Sequence, residues 1–212
     1  MPADQKENLL YELFRKYGTL QEFKKNSFVY SKGEPSKAAY FIENGLLKVC
    51  QLTQKGQNVT FFIRKTGDYF GMAEIILKQN HPCYAQCLNN SQIWVLPSSI
   101  VEEKLESDPK VNREILYTLT NRLIQQQTTV EQLVSKPASA RLAWLLEQLG
   151  KPGPAGEWLV NMMLTHEEMS NIVGCSRQTI SELFNKWRSQ GIMNYTRNKL
   201  TIYRLDDLME NL

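Results

Sequence analysis

The stretch from Thr165 to Gly191 constrains the chain most, because it spells out two short helices with almost nothing between them. Thr165-His166-Glu167-Glu168 is a capping box, in which Thr165 caps a helix and Glu168 reaches back to the cap's own backbone. Met169, Ile172 and Val173 give that helix an inward face. Gly174-Cys175 turns the chain, Ser176 caps a second helix running from Arg177 to Gln190, and Gly191 stops it. On the second helix Ile180, Leu183, Phe184 and Trp187 share one face. Two runs follow, Ile192-Met193-Asn194-Tyr195 and Leu200-Thr201-Ile202-Tyr203, joined through Arg197-Asn198-Lys199, and they read as a β-hairpin. Two capped helices, a tight turn and a hairpin predict a winged helix-turn-helix.

Charge then suggests what this unit is for. The whole chain carries a formal +3, too mild to announce a polyanionic partner. From Gly174 to Arg204, however, Arg177, Lys186, Arg188, Arg197, Lys199 and Arg204 are opposed only by Glu182, six bases against one acid. A solvated face on a protein-binding winged helix would explain this too, but a surplus concentrated on the helix and hairpin favours double-stranded DNA. Arg177 and Gln178, at the start of the second helix, suit guanine and adenine edges in the major groove. Ser181 lies on the same outward face with Asn185 and Arg188. Ser176, Thr179, Lys186 and the hairpin's Arg197 and Lys199 are placed for phosphates.

Upstream, Asp108-Pro109 starts a long helix. Leu116, Leu119, Leu123, Gln126, Val130 and Leu133 recur at alternating intervals of three and four, an a/d seam with one polar member. A helix to Val134 is about 40 Å long at ~1.5 Å per residue. The narrow stripe with Gln126 inside it predicts pairing with a second copy of the chain. Ser135-Lys136-Pro137 restarts the helix and reads as a hinge. Ala140 to Leu149 is helical, and Lys151-Pro152-Gly153-Pro154-Ala155-Gly156 reads as a loop.

The first half is β in character. Glycines 33, 45, 56 and 67 punctuate short apolar runs, among them Phe28-Val29-Tyr30, Ala39-Tyr40-Phe41-Ile42, Leu46-Leu47-Lys48-Val49 and Val59-Thr60-Phe61-Phe62-Ile63. Tyr84-Ala85-Gln86-Cys87-Leu88 and Gln92-Ile93-Trp94-Val95-Leu96 follow. This spacing predicts a small antiparallel sandwich or barrel, preceded by a helix from Glu7 to Tyr17. The expected architecture is therefore α+β: residues 1–107 a β-roll, 108–135 a dimerisation helix and hinge, and 136–212 the winged helix-turn-helix. No apolar run approaches a membrane span and the N-terminus lacks a secretory pattern, so the expectation is a cytoplasmic protein without a membrane partner. Two histidines, and cysteines at 50, 83, 87 and 175, offer no metal-ligand spacing, and nothing suggests an enzyme.

Ile172-Val173-Gly174-Cys175-Ser176-Arg177-Gln178-Thr179-Ile180-Ser181 resembles the recognition motif of the Crp/Fnr (catabolite activator/fumarate-nitrate) regulators. Tyr40-Phe41-Ile42-Glu43-Asn44-Gly45-Leu46-Leu47-Lys48-Val49 and Gly67-Asp68-Tyr69-Phe70-Gly71 resemble that family's cyclic-nucleotide-binding β-roll, a double-stranded β-helix. The resemblance implies a homodimeric, effector-controlled transcription regulator on a palindromic site, with RNA polymerase as a further partner.

Departures from the family pattern narrow the effector. Cyclic-AMP-binding members follow the glycine with a ribose-binding glutamate and, about ten residues on, a phosphate-binding arginine. Here Met72 follows Gly71, the arginine place falls at Pro82 or Cys83, and no Lys or Arg occurs from Gln79 to Val101. A buried phosphate without a cation is costly, so tight cyclic-nucleotide binding is not expected. An iron–sulfur cluster of the family's N-terminal type and the family's haem ligation are not expected either. The pocket is expected to be lined by Phe62, Tyr69, Phe70, Gly71, Met72, Cys83 and Tyr84, with Gln126 and Gln127 across the dimer. Such a lining of aromatics and amides, with few charges, suits a small apolar or phenolic ligand. The run Tyr84-Ala85-Gln86 resembles the branch that senses chlorinated aromatics. On one strand, Cys83 and Cys87 sit about 13 Å apart at ~3.3 Å per residue, beyond the ~7 Å reach of a disulfide. They are expected as buried small hydrophobes, with thiol-redox control the alternative. Glu182 stands where many members carry a guanine-reading arginine, which predicts a different half-site.

Overall fold

The computed structural model describes residues 9–52, 58–160, 164–196 and 199–210, and the chain divides into two compact units, Met1–Gln125 and Gln126–Leu212. In the first unit, helix α1 (Leu9–Tyr17) precedes strands β1 (Thr19–Phe23), β2 (Phe28–Tyr30), β3 (Ala38–Asn44), β4 (Leu46–Leu52), β5 (Asn58–Lys65) and β6 (Tyr69–Phe70). Helix α2 (Met72–Ile76), strands β7 (Tyr84–Cys87) and β8 (Ser91–Pro97), and helix α3 (Ser98–Ser107) follow. The long helix α4 (Pro109–Ser135) begins in this unit and runs on into the second.

The strands form two antiparallel sheets, ordered β1-β8-β3-β6 and β2-β7-β4-β5. Their shared interior holds Tyr30, Tyr40, Ile42, Leu47, Val49, Phe70, Ala85, Cys87 and Ile93. A second core lies on the other face of the first sheet, where Ala39, Phe41 and Leu96 pack with Leu10 and Phe14 of α1 and with Val111 and Ile115 of α4. Strand β3 serves both. Its side chains alternate, Tyr40 and Ile42 to the roll interior and Ala39 and Phe41 to the helices, so Ala38 through Ile42 are all buried. That double burial explains why the sequence there reads as a continuous apolar run.

The expected apolar strands are present, and so are elements the sequence signal was too weak to give. Strand β1 is an edge strand of mixed polarity paired only with β8, and β6 is two residues long. Gly45, between β3 and β4, has φ 142° and packs so closely on Ser91 that any Cβ would overlap its side chain. Gly71, at φ 82°, opens α2 against the Tyr40 ring. Only glycine combines such backbone angles with that proximity.

Helix α4 starts as its sequence predicts. The Asp108 carboxylate accepts hydrogen bonds from the Lys110 and Val111 amides at 3.0 and 3.3 Å. The helix then presents two apolar faces. Val111 and Ile115 are buried, and Leu119 is partly buried against the same core. Leu116, Leu123, Val130 and Leu133 are exposed, as are Tyr117, Ile124 and Val134. The expected seam therefore needs one correction: Leu119 packs on its own unit, four residues after Ile115 on the same face.

The second unit holds α5 (Ala138–Leu149), β9 (Gly150–Pro152), β10 (Trp158–Val160), α6 (His166–Val173), α7 (Arg177–Ser189), β11 (Met193–Tyr195), β12 (Leu200–Ile202) and α8 (Leu205–Glu210). Its sheet runs β11-β12-β10-β9. Lys151 and Pro152, expected in a loop, belong instead to the edge strand β9, where proline's missing N–H is tolerated. Among the described residues no helix is long and apolar enough to cross a membrane, and no three His, Cys, Asp or Glu side chains converge as metal ligands.

Candidate nucleic-acid interface and effector site

The turn between α6 and α7 is built from local signals. The capping box is complete, with Thr165 Oγ1 accepting from the Glu168 amide at 3.1 Å and the Glu168 carboxylate accepting from the Thr165 amide at 2.6 Å. Gly174 ends α6 in the left-handed region at φ 70°. Ser176 Oγ accepts from the Thr179 amide at 3.0 Å and starts α7. Ile180, Phe184 and Trp187 are fully buried, which fixes the opposite face of α7 toward solvent. The Arg141 side chain of α5 had no signal in the sequence beyond its charge. Its guanidinium donates to the carbonyls of Lys136, Val173 and Gly174 at 2.7, 2.7 and 3.2 Å. It thus ties the start of α5 to the end of α6, where unpaired carbonyls concentrate negative partial charge.

On the outward face Arg177, Gln178, Glu182, Asn185 and Lys186 are exposed. The Gln178 amide donates to the Glu182 carboxylate at 2.9 Å, so the acid fixes the orientation of its neighbour. Ser181 is corrected: its hydroxyl donates to the Arg177 carbonyl at 3.1 Å and meets His166 Nδ1 at 3.0 Å, locking α7 to α6 rather than pointing outward. Arg188 is exposed, but its guanidinium lies over the Tyr195 ring at 5.6 Å and so braces α7 against the first strand of the wing. Ser176 and Thr179 share a 2.9 Å hydroxyl contact within the cap. Lys199 is exposed beside the tip, where the Thr196 amide donates to its carbonyl at 2.8 Å. Arg197 lies outside the described residues.

In the first unit the expected pocket residues divide between the two cores. Phe70 and Cys83 are buried in the roll interior, with Phe62 partly buried against it. Tyr69 and Met72 belong instead to the core under the helices. Tyr69 neighbours Phe70 on β6, and adjacent strand residues face opposite sides. Tyr84 is corrected for the same reason. Ala85 and Cys87 of β7 point inward, and the Tyr84 ring meets Phe28 at 5.5 Å on the other face. Gln126 and Gln127 are exposed on α4.

Among the apolar and aromatic side chains expected there, the roll also holds an arginine, Arg64. On β5, Arg64 pairs opposite Leu47 as Phe62 pairs opposite Val49, and Leu47 and Val49 line the interior. Partners directly opposite in an antiparallel pair share a face, so Arg64 points inward, its guanidinium 5.0 Å from the Phe62 ring. Its Nε is buried and has no hydrogen-bond partner among the described residues. Arg122 of α4 lies in the same electrostatic neighbourhood, with burial and the Arg64 charge lowering its pKa to about 10.

Burial raises the pKa of every cysteine thiol, Cys83 to about 11. Such thiols are poor nucleophiles at neutral pH, which argues against a redox switch. His81 is buried and stacked on Tyr30, with ring centroids 3.7 Å apart, and both ring nitrogens lack partners among the described residues. Burial holds its pKa below the usual imidazole range. The unfolded chain therefore binds a proton that the fold resists, and the stability this site contributes above about pH 6.5 is lost as pH falls toward the folded pKa. Thermal melting should drop as pH is lowered through that window. His81→Phe, which keeps the stack, should flatten the slope, and an unchanged slope would clear His81 of any part in it.

Residues 20–108 match the cyclic nucleotide-binding domain family, and residues 140–210 match the Crp-like helix-turn-helix domain family. The chain is similar to the global nitrogen regulator of Synechocystis sp., at 22% identity over 92% of this chain and 91% of that one. It is also similar to electron transport regulator A of Shewanella oneidensis, at 27% identity over 80% and 68%. Among solved structures, FixK2 from Bradyrhizobium japonicum shares the fold with a TM-score of 0.82, at 18% identity over 91% of this chain and 96% of that one. With both domains present in order around the long helix, the chain belongs to the Crp/Fnr family of effector-controlled, DNA-binding transcription regulators.

Proposed function

We propose that the protein acts in the cytoplasm as a homodimer on a palindromic operator, without enzymatic activity, and that its effector is not a cyclic nucleotide. The observation that carries the DNA reading is the solvent-facing end of α7, where Arg177 and Gln178 are exposed in the first turn of a helix capped by Ser176. Ser176, Thr179, Lys186, Lys199 and Arg197 are proposed as phosphate contacts. The exposed apolar stripe of α4, from Leu116 to Leu133, is proposed as the seam with a second copy. Two copies would then set two recognition helices about 34–36 Å apart, one turn of B-DNA. Effector binding in the roll would shift the population of paired helices toward that spacing. RNA polymerase is proposed as a further partner from family membership alone. Against a cyclic nucleotide stand Met72 after Gly71 and the Pro82-Cys83 pair at the family's arginine place.

Selection of bound duplexes from a random pool, at a stated salt concentration, tests this. The expected result is a two-fold symmetric site with half-sites one helical turn apart. Sequence-blind, salt-sensitive binding under every condition would refute the specific reading.

A further inference from the structure

His166 is the first residue of α6 and is half-buried where three elements meet. Its ring lies 4.8 Å from the Phe184 ring of α7 and 6.3 Å from the Tyr195 ring of β11. Its Nδ1 stands 3.0 Å from the Ser181 hydroxyl, which donates to the Arg177 carbonyl at 3.1 Å. A hydroxyl has one proton to give. With that proton on the carbonyl, Nδ1–H is the donor and Ser181 Oγ the acceptor. Neutral imidazole carries a single N–H, so Nε2 is left with a bare lone pair. Nε2 has no hydrogen-bond partner among the described residues and is not closed off from solvent. Burial, and then the Arg177 charge at the start of α7, hold the ring below the usual imidazole pKa. Glu168 is engaged in the capping box, Glu182 by Gln178, and Arg188 over the Tyr195 ring, while Glu167 and Lys186 are exposed.

We propose that His166 grips a backbone phosphate of the bound duplex as its imidazolium, so that DNA binding takes up a proton at each protomer. The inference rests on the DNA reading above and adds a contact from α6 to those of α7 and the wing. The first helix of a helix-turn-helix crosses the DNA backbone beside the start of the second. A phosphodiester oxygen only accepts hydrogen bonds. With Nδ1 tied to Ser181, the ring can bond that oxygen only by gaining a second proton at Nε2. The proton comes from solvent and returns there on dissociation, and Nδ1 keeps its own throughout. The phosphates also offset the Arg177 charge that resists the imidazolium in the free protein. Affinity therefore rises as pH falls, from the pKa of His166 in the complex down to its lower pKa in the free protein. By reciprocity the gain is about tenfold per protomer for each tenfold by which DNA raises the proton affinity of the ring.

The test measures duplex affinity of the full-length protein at constant ionic strength, from about pH 8 to about pH 5.5, a range around the ordinary imidazole pKa of ~6.5. A selected operator and a random-sequence duplex are used in parallel. The wild type should bind both more tightly as pH falls, because a phosphate contact carries no base information. Calorimetry in two buffers of different ionisation enthalpy should count up to one proton taken up per protomer. His166→Asn, whose amide still donates to Ser181 but does not titrate, should lose the slope. Ser181→Ala frees Nδ1, so the neutral ring can carry its proton on Nε2, and the slope should shrink although His166 remains. His81→Phe removes the other histidine of the chain and should keep the slope. Equal slopes in the wild type and His166→Asn, or DNA binding by the wild type without proton uptake, overturn the contact and leave the DNA reading standing. An unchanged slope in Ser181→Ala overturns the assigned tautomer and, with it, the proposal. Failure to bind any duplex at any pH refutes the DNA reading itself, and the contact falls with it.

Discussion

Replacing Leu123 and Val130 together by aspartate is expected to leave a folded protein that no longer dimerises and has lost its operator. Both side chains are more than half exposed in the protomer, at 58% and 59%, so the protomer's cores do not depend on them. In a paired seam each would be buried against its counterpart, and a fully buried Leu or Val contributes ~1.5–3 kcal/mol. A dimer carries four of these positions. Their loss, before any repulsion among the new carboxylates, weakens association by on the order of a thousandfold or more at ~1.4 kcal/mol per decade. A monomer reaches one half-site only, so operator affinity falls with it. Sedimentation velocity gives the mass, and circular dichroism confirms that the helices persist. Leu123→Met, which conserves volume, should retain the dimer. A double variant that still sediments as a dimer and binds its operator unchanged would place the dimer interface elsewhere.

The segments that were legible in the sequence are those where one local signal decides the structure. Thr165, Glu168, Ser176 and Gly174 do what their residue types dictate at helix ends, and the winged unit follows from them. Residue type without register was a poor guide inside the roll. Phe62 is expected in the pocket, and the same period of two that turns Phe62 inward also turns Arg64 inward. Tyr69 and Tyr84 are expected there too, and alternation along β6 and β7 carries them to other faces. The rule was available, but applying it needs one inward-facing residue to anchor each strand, and only the pairing of β5 with β4 supplies that. Helix α4 shows a related limit. A heptad pattern finds the exposed seam but cannot separate Leu119, which belongs to the face of Val111 and Ile115, from Leu123. Nor can it mark Arg122 as anything but a flanking charge. Arg141 was hidden for another reason: its three acceptors are backbone carbonyls, and backbone geometry has no residue code.

Arg177→Ala is expected to cost ~1–3 kcal/mol of operator binding, roughly 5- to 150-fold, and to relax preference at one base position in each half-site. The side chain is exposed at the first residue of α7, and no hydrogen bond or ion pair of its guanidinium is found among the described residues. Its backbone carbonyl is already held by Ser181, so truncating the side chain leaves the helix start intact. The melting temperature should therefore barely move, while the selected site loses information at a symmetric pair of positions. Lys186→Ala is the contrast. A phosphate contact carries no base information, so its loss should weaken all sequences alike and reduce the dependence of affinity on salt by about one ion per protomer. Gln178 stands between these cases, because its amide is already committed to Glu182. Glu182→Ala frees that amide and should alter which base is preferred next to the one Arg177 reads. If Arg177→Ala behaves as Lys186→Ala is expected to, weakening every duplex equally and flattening the salt dependence, Arg177 grips the backbone. The reading of bases then begins at Gln178.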